Sequence, residues 1–175
     1  MCMIEYIPID LKIYKSILLD LNDEYLSWIA NEVKRHYEID VISIVGQSIR
    51  DYAKNHIEEL TSYKPPNGIF YILKIKNEII GMGALRKLRS DTGEVKRMYI
   101  KPNFRGKGFG KALLNQLMKI GKEFGCSRIL LDTGRFMTAA QHVYRSAGFQ
   151  ERDEYSESEV PIPMRPYWIY MEKKL

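Results

Sequence analysis

The chain has 175 residues, of which 45% are apolar and 28% are charged, a mixture typical of a globular protein rather than a disordered or fibrous one. Its net charge of +5 is spread along the chain, with one dense spot from Lys96 to Lys111, and this argues against the basic stripe of a nucleic-acid binder. No apolar run approaches the roughly 20 residues that span a bilayer, and the N-terminus lacks the features of a secretory signal. We therefore expect a soluble, cytoplasmic protein without a membrane or nucleic-acid partner.

The first third of the chain predicts one strand followed by helices. Met3 to Ile7 is a short apolar run that ends at Pro8. Apolar residues at helical spacing then predict two helices, over residues 11–35 and 47–63. The sequence of residues 64–68, Lys-Pro-Pro-Asn-Gly, is a strong stop signal.

Three β-rich runs follow this stop. They cover residues 69–75, 79–88 and 94–100, and turn sequences at 76–78 and 89–93 separate them. Strands joined by such short turns predict an antiparallel meander.

The last part of the chain alternates between helix and strand. Apolar spacing predicts a helix over residues 107–124 that stops at Gly125, and then a short buried strand over 128–132. A helix over 138–147 and a final strand over 166–172 complete the pattern. With no internal repeat and no second boundary, these elements predict a single α/β domain of the α+β type over residues 1–175.

The segment between the third meander strand and the following helix is the most informative part of the sequence. Glycines let a loop adopt positive φ angles and bring its amides close to a ligand, and a helix N-terminus adds unsatisfied N–H groups and a positive dipole end. Together they form an anion site suited to a diphosphate. Basic side chains of the segment would add positive charge: Arg105, Lys107 and Lys111.

Other interpretations of the glycines fit the spacing less well. A P-loop needs GxxxxGK[ST], but Gly106 to Gly110 is one residue too short and Ala112 stands where Ser or Thr should follow the lysine. A dinucleotide-binding loop needs GxGxxG within a βαβ unit, whereas here an antiparallel meander precedes the loop. A turn that merely uses glycines remains open.

Three separated motifs together resemble one family. Residues 105–110 match the pattern [Q/R]xxGx[G/A], the strand before them begins Glu94-Val-x-x-Met-Tyr-Ile, and Tyr144-x-x-x-Gly-Phe149 follows downstream. In these motifs the chain is similar to the GNAT superfamily of N-acetyltransferases. The resemblance covers residues 69–175 in order and spacing, while residues 1–68 match only in kind.

The resemblance implies a fold and a reaction. The implied fold is a mixed, mostly antiparallel central sheet flanked by helices, with an N-terminal strand plus two helices and a C-terminal strand-helix-strand. The implied reaction moves an acetyl group from acetyl-CoA directly to a primary amine of a small molecule, peptide or protein, without a covalent enzyme intermediate or a metal. A non-catalytic acyl-CoA sensor is the alternative. The identity of the acceptor and the oligomeric state, including a homodimer, stay open.

The resemblance also implies which residues bind coenzyme A. The strand before the loop would contact the pantetheine arm, through Met98, Tyr99 and Ile100. The loop would hold the diphosphate, through Arg105, Gly106, Lys107, Gly108, Phe109, Gly110 and Lys111. Many members place an asparagine seven residues before the tyrosine of the third motif. Here Met137 occupies that position, and Thr138 is the nearest polar neighbour.

Two residues are candidates for catalysis. An amine must lose a proton before it attacks a thioester, so a base or a water chain is needed. Glu94, eleven residues before Arg105, matches the catalytic glutamate of the family's histone-acetylating branch, although it could be only a carboxylate at the start of a strand. Tyr144 matches the family's general acid, which protonates the departing thiolate, although it could be only a core aromatic.

The remaining signals are weaker. His36, His56 and His142 are too far apart for a metal motif, and Cys2 and Cys126 do not suggest a disulfide framework. The acidic segment 151–159, including Tyr155, could line the acceptor channel and attract a cationic amine, or it could be a solvated loop.

Overall fold

The structure is a computed structural model, and it describes residues 3–60 and 62–175. Met1, Cys2 and Thr61 lie outside the described residues. With them go the start of the N-terminus considered for a secretory signal, one of the two cysteines and one residue of the predicted helix 47–63. The chain divides into two compact units, one formed by Ile9–Ser62 and the other by the first strand together with Tyr63–Leu175.

The unit Ile9–Ser62 is helical. Its helices are α1 (Leu11–Tyr37), α2 (Val41–Val45), α3 (Ile49–Asn55) and α4 (Ile57–Leu60). The side chain of Asp10 caps α1 by accepting the Lys12 N–H at 2.9 Å. Arg50 ties α3 to α1, with its guanidinium 2.8 Å from Asp23 and 3.1 Å from Asp20.

The helices predicted from the sequence differ in part from those of this unit. The predicted helix 47–63 is interrupted at His56, which separates α3 from α4. The five-residue helix α2 was not predicted, because a run of one or two turns is too short to show helical periodicity.

The other unit contains a sheet of seven strands in the order β1-β2-β3-β4-β5-β7-β6. The strands are β1 (Glu5–Pro8), β2 (Gly68–Ile75), β3 (Glu78–Arg89), β4 (Thr92–Ile100), β5 (Arg128–Gly134), β6 (Gln150–Arg152) and β7 (Trp168–Lys174). All neighbouring strands are antiparallel except β4 and β5, which are parallel. The predicted meander and the predicted fold class are confirmed, while the three-residue strand β6 was missed.

The described part of this unit has two α-helices, α5 (Phe109–Glu123) and α6 (Thr138–Ser146), and two short 3-10 helices, Pro102–Phe104 and Ile162–Tyr167. The apolar face of α5 packs on β3 and β4 through Leu113, Leu114 and Leu117, which are fully buried. At roughly 1.5–3 kcal/mol for each buried leucine side chain, this face fixes the start of α5 against the sheet. The loop that precedes α5 is therefore held at a defined position beside β4.

Gly81 allows β3 and β4 to approach closely. A Cβ atom at this position would overlap the carbonyl oxygen of Tyr99 and come within 3.2 Å of the Ile100 Cα atom. Both of these are backbone atoms of β4, so a side chain at Gly81 could be accommodated only if the two strands moved apart.

We expect Gly81→Ala to lower the free energy of unfolding by about 2 kcal/mol or more, because the added methyl forces these strands apart. Urea denaturation followed by circular dichroism measures the change. Gly110→Ala is the matched control, since a Cβ there meets nothing within 4 Å. It should leave stability unchanged or raise it by up to about 1 kcal/mol. Equal stability of the two variants would contradict the close approach at Gly81.

Candidate functional site

The sheet opens between β4 and β5. These strands pair only where Thr92, Gly93 and Glu94 lie beside residues 128–130. After Glu94, β4 stays paired with β3 on its other side, while β5 continues beside β7. Within the described part of the chain, the edge of β4 after Glu94 therefore faces no neighbouring strand. An extended ligand can pair with such an edge through its own polar groups.

A β-bulge lies on the same stretch of β4. Between the pairs Ala84–Lys96 and Met82–Tyr99, β4 has one residue more than β3. The backbone at Arg97 has a φ of 54°, a left-handed conformation that is uncommon for a residue with a side chain. A bulge bends its strand and turns the following residues in a new direction. The three predicted pantetheine contacts, residues 98–100, directly follow this bend.

The glycine loop ends in free backbone amides. Gly106 and Gly108 have φ angles of 74° and 83°, and Gly108 is the N-cap of α5. Among the described residues, no backbone carbonyl accepts a hydrogen bond from the N–H groups of residues 106–111. The first such bond at this end of the helix runs from Ala112 N–H to the Gly108 oxygen, at 3.0 Å. These amides are consequently available to a bound anion.

The side chains around the loop leave the glycine surface open. Arg105 donates a hydrogen bond from Nε to the Ile100 carbonyl at 2.9 Å, and its guanidinium lies 5.5 Å from the centre of the Tyr99 ring. Lys107 donates to the Asn103 carbonyl at 3.0 Å. A Cβ atom built at Gly106, Gly108 or Gly110 would meet nothing within 4 Å. The loop is therefore not filled by the protein's own side chains.

Glu94 lies in a buried network of charges. Its side chain is 0% exposed, and the Tyr155 hydroxyl donates a hydrogen bond to Oε1 at 2.6 Å. Arg86 Nε donates to Oε2, and Lys96 Nζ is 3.9 Å from the same oxygen. Both carboxylate oxygens are thus engaged by protein groups, and the side chain has no exposed surface of its own. The suggested base is held in place by its neighbours.

The acidic segment 151–159 supplies the other half of this network. Glu159 pairs with both Arg86 and Lys96. Glu157 accepts two hydrogen bonds from Arg89, at 2.7 and 2.9 Å, and its backbone carbonyl accepts one from Arg86 at 2.9 Å. These carboxylates are compensated by basic residues of β3 and β4, so their main effect is to fasten the segment to the sheet.

Asp132, on β5, joins the network from the other side of the opening. Its Oδ2 lies 3.3 Å from the Tyr155 hydroxyl and 3.4 Å from Ser158 Oγ. Burial, together with the nearby negative charge of Glu94, raises the pKa of this carboxyl to about 6. Burial and the negative charges of Asp132 and Glu94 raise the pKa of Tyr155, so its hydroxyl stays protonated. The sequence predicts Asp132 only as the last residue of the strand over 128–132, and not as a site residue. The one available signal was an acidic residue closing the apolar run Ile129-Leu-Leu131.

The structure places Tyr144 on α6, in the hydrophobic core. Its side chain is 6% exposed, and its ring centre is 6.1 Å from that of Phe149. Its carbonyl accepts the Phe149 N–H at 3.1 Å. Thr138 is exposed and begins the same helix, directly after Met137. These residues are therefore positioned by one short helix, and their predicted roles stay predictions.

The family model described as "Acetyltransferase (GNAT) family" matches residues 26–149. This match includes the glycine loop, the strand that carries Glu94 and the helix that carries Tyr144. The chain belongs to the GNAT acetyltransferase family. The expected superfamily is thereby confirmed.

Two curated relatives and one solved structure illustrate the similarity. An IAA acetyltransferase of Azospirillum brasilense is 30% identical over 122 residues, which cover 69% of this chain and 77% of the relative. The uncharacterized N-acetyltransferase YsnE of Bacillus subtilis is 27% identical over 80% of this chain and 99% of its own length. The PaiA N-acetyltransferase of Thermoplasma acidophilum, solved in complex with coenzyme A, has a TM-score of 0.72 and 21% identity, with 99% of both chains covered. At this identity the solved structure shows a shared fold.

The described residues contain neither a metal-binding cluster nor a membrane-spanning helix. They contain no group of three or more His, Cys, Asp or Glu side chains arranged to hold a metal ion. In the same part of the chain, every helix is too short or too polar to cross a membrane.

We expect Arg86→Ala to lower the free energy of unfolding by about 3 kcal/mol, because it removes the closest cation from a buried carboxylate. The matched control is Arg89→Ala, on the same strand and also paired with a glutamate of segment 151–159. Arg89 is 56% exposed against 16% for Arg86, so its loss should cost about 1 kcal/mol or less. Chemical denaturation of both variants gives the comparison. Equal losses would show that Glu94 does not depend on Arg86.

Proposed function

We propose that this protein transfers an acetyl group from acetyl-CoA to a primary amine by direct attack in a ternary complex. The observation that carries the proposal is the set of free amides at residues 106–111, next to the unpaired edge of β4. An anion site adjoining an open strand edge suits a ligand that has a diphosphate and an extended, amide-containing arm. Coenzyme A has both, and the T. acidophilum neighbour is described as a complex with it.

In this proposal, residues 98–100 pair with the pantetheine arm and residues 105–111 bind the diphosphate. Thr138, at the exposed start of α6 and next to the Met137 position where many family members have asparagine, supplies a polar contact. We also propose that the two compact units form one functional domain over residues 1–175, because the family match runs through both of them.

Two proton transfers must accompany the reaction. An alkylamine has a pKa near ~10.4, so at neutral pH it arrives as an ammonium ion and must lose a proton before it attacks. We propose Glu94 as the final acceptor of that proton, reached through its hydrogen-bonded partners. When the tetrahedral intermediate collapses, the thiolate of coenzyme A leaves, and we propose that Tyr144 supplies its proton.

The competing function is a sensor that binds acyl-CoA without turnover. Release of free thiol from acetyl-CoA separates the two functions, measured with spermidine, kanamycin, L-glutamate and a lysine-containing peptide as amines. Calorimetry with coenzyme A measures binding in the same preparation. Thiol release that depends on one of these amines supports the enzyme. Binding of coenzyme A without thiol release from any amine supports the sensor.

We expect Gly108→Val to abolish coenzyme A binding, because a side chain there stands between the loop amides and the diphosphate. Gly125→Val is a matched control, since both glycines have a φ of 83° and open space around the Cβ position. Both substitutions impose the same backbone strain at an end of α5, so both variants should lose similar stability. Isothermal titration calorimetry should show lost binding for Gly108→Val alone. Micromolar binding by Gly108→Val would refute the placement of the diphosphate.

We expect Tyr144→Phe to lower kcat by ~10²-fold or more while the Kd for coenzyme A stays the same, because the ring still packs but the donated proton is gone. Steady-state kinetics with the preferred amine and calorimetry with coenzyme A give the two values. A melting curve verifies that the core around Phe149 is intact. An unchanged kcat would remove Tyr144 from the mechanism.

A further inference from the structure

The charged side chains around Glu94 form a neutral group, and Asp132 lies beside this group without a cation of its own among the described residues. Arg86 and Lys96 are both positive, and they pair with the two carboxylates of Glu94 and Glu159. These four groups together are neutral. Asp132 touches the same network through Tyr155, but no described basic residue forms an ion pair with it. When it is ionised, it is a surplus negative charge.

We propose that Asp132 binds the ammonium group of the acceptor and accepts its proton, and that Tyr155 relays this proton to Glu94. The inference rests on the proposed acetyltransferase function and specifies its acceptor site. A cationic amine would supply the positive charge that Asp132 lacks.

The strand register places Asp132 at the opening of the sheet. Leu130 on β5 lies beside Glu94 on β4, and this is the last pair before the two strands separate. Side chains alternate along a strand, so Asp132, two residues later, lies on the same face as Leu130 and Glu94. Asp132 is only half-buried, whereas Glu94 is sealed. Of the two carboxylates, Asp132 is therefore the one that an acceptor can reach.

The hydrogen bonds leave Asp132 one oxygen for a ligand. The hydroxyls of Tyr155 and Ser158 both lie near Oδ2. No described residue donates a hydrogen bond to Oδ1. An ammonium group, which has three donors, can therefore bind at Oδ1 without displacing a protein contact.

Tyr155 has the geometry of a relay between the two carboxylates. A phenol has a single proton, and the 2.6 Å contact assigns it to Glu94 Oε1. The ammonium proton arrives on Oδ1, so the protonated carboxyl must turn about its Cβ–Cγ bond before its O–H can donate to the Tyr155 oxygen, which lies 3.3 Å from Oδ2 in the structure. Transfer from Asp132 to Tyr155, with transfer of the phenol proton to Glu94, moves one proton inward and regenerates a neutral tyrosine.

The titratable and charged groups near Asp132 come from three elements. Glu94 and Lys96 face it from β4, Tyr155 from the segment before β7, and Tyr170 lies directly opposite it on β7. Ser158 adds a hydroxyl. The carboxyl pKa of about 6 reflects burial first and the charge of Glu94 second, while Lys96 acts in the opposite sense. A base with this pKa is largely ionised at neutral pH and can accept a proton there.

The reaction balances as follows. The ammonium ion gives one proton to Asp132, and the resulting amine attacks the carbonyl carbon of acetyl-CoA, so a C–N bond forms. The C–S bond then breaks, and the nitrogen's second surplus proton ends on the thiol of coenzyme A by way of Tyr144. The products are an N-acetylated amine, coenzyme A and one proton, which returns from the relay to solvent.

The test compares Asp132→Asn, Tyr155→Phe and the control Tyr170→Phe. Tyr170 is a suitable control because its buried hydroxyl forms no hydrogen bond of normal geometry with the described residues, although Ser158 lies nearby. Its loss should therefore change kcat/KM for the amine less than about threefold. Each variant is assayed from pH 5 to 9.5 with acetyl-CoA and whichever amine of the panel above reacts fastest.

For Asp132→Asn we expect kcat/KM for the amine to fall ~10²-fold at pH 7, with the Kd for coenzyme A unchanged. The acidic limb of the wild-type pH profile should disappear in this variant. Its deficit should shrink toward pH 9.5, where a growing share of the amine is already neutral. Tyr155→Phe should lower kcat ~10-fold or more with a smaller effect on KM, since it leaves Oδ1 in place. A purely structural role of Asp132 would give a deficit that does not change with pH.

A stability measurement gives an independent check. A carboxyl whose pKa is raised in the folded state stabilises the fold below its unfolded pKa, and this stabilisation is lost as the pH rises through its folded pKa. Between pH 4 and 7, the wild type should therefore lose stability relative to Asp132→Asn. Parallel stability curves would contradict the surplus charge at Asp132.

Different results would overturn the role of Asp132 and the proposed acetyltransferase function. Amine-dependent thiol release by Asp132→Asn at the wild-type rate and with the wild-type pH profile would overturn the inference and leave the acetyltransferase intact. Absence of thiol release from the wild type with every amine, despite binding of coenzyme A, would overturn the proposed function and the inference with it.

Discussion

The candidate site depends on the point at which β4 and β5 stop pairing. Up to Glu94 the two strands form an ordinary parallel ladder, and beyond it each keeps only its antiparallel neighbour. The bulge at Arg97 bends β4 just after that point. An unpaired strand edge in a folded protein invites another chain to pair with it. Here the edge leads into a loop of free amides, and this continuity favours one long ligand over two separate ones.

The charged network explains how the open sheet stays in place. Ionised side chains with low exposure are tolerated only when they are paired, and Arg86, Glu94 and Lys96 are paired with one another or with Glu159 of segment 151–159. The segment is therefore held against the strands by ion pairs together with the buried Tyr155 ring, which packs edge-on against Tyr170. Asp132 is the exception, and it lies where an acceptor amine would provide the missing partner. The same network thus supports both the stability of the opening and the proposed chemistry.

The two sides of the opening offer different kinds of chemical group. The proposed diphosphate side would use backbone amides, whose positions are fixed by the packing of α5 and which would lose no side-chain entropy on binding. The proposed acceptor side uses ionisable side chains, because a proton must be moved there. In this proposal the loop would bind the cofactor, while the residues around Asp132 would select the amine.

The sequence by itself determined the elements with strong local signals. The meander, the amphipathic helix α5 and the glycine loop were all predicted, because alternation, helical spacing and φ-permissive residues are properties of neighbouring residues. The break at His56, the short helix α2 and the three-residue strand β6 were not, since short elements depend on tertiary contacts.

Only the tertiary structure decided how the site is assembled. Nothing in the sequence indicated that Glu94, Tyr155 and Asp132 meet, because they are brought together by strand register and by a segment that returns from residue 155 to residue 94. Sequence spacing identified Glu94 as a carboxylate but could not show that both its oxygens are occupied. Burial, pairing and shifts in pKa arise from groups distant in the chain, so they can be read only from the fold.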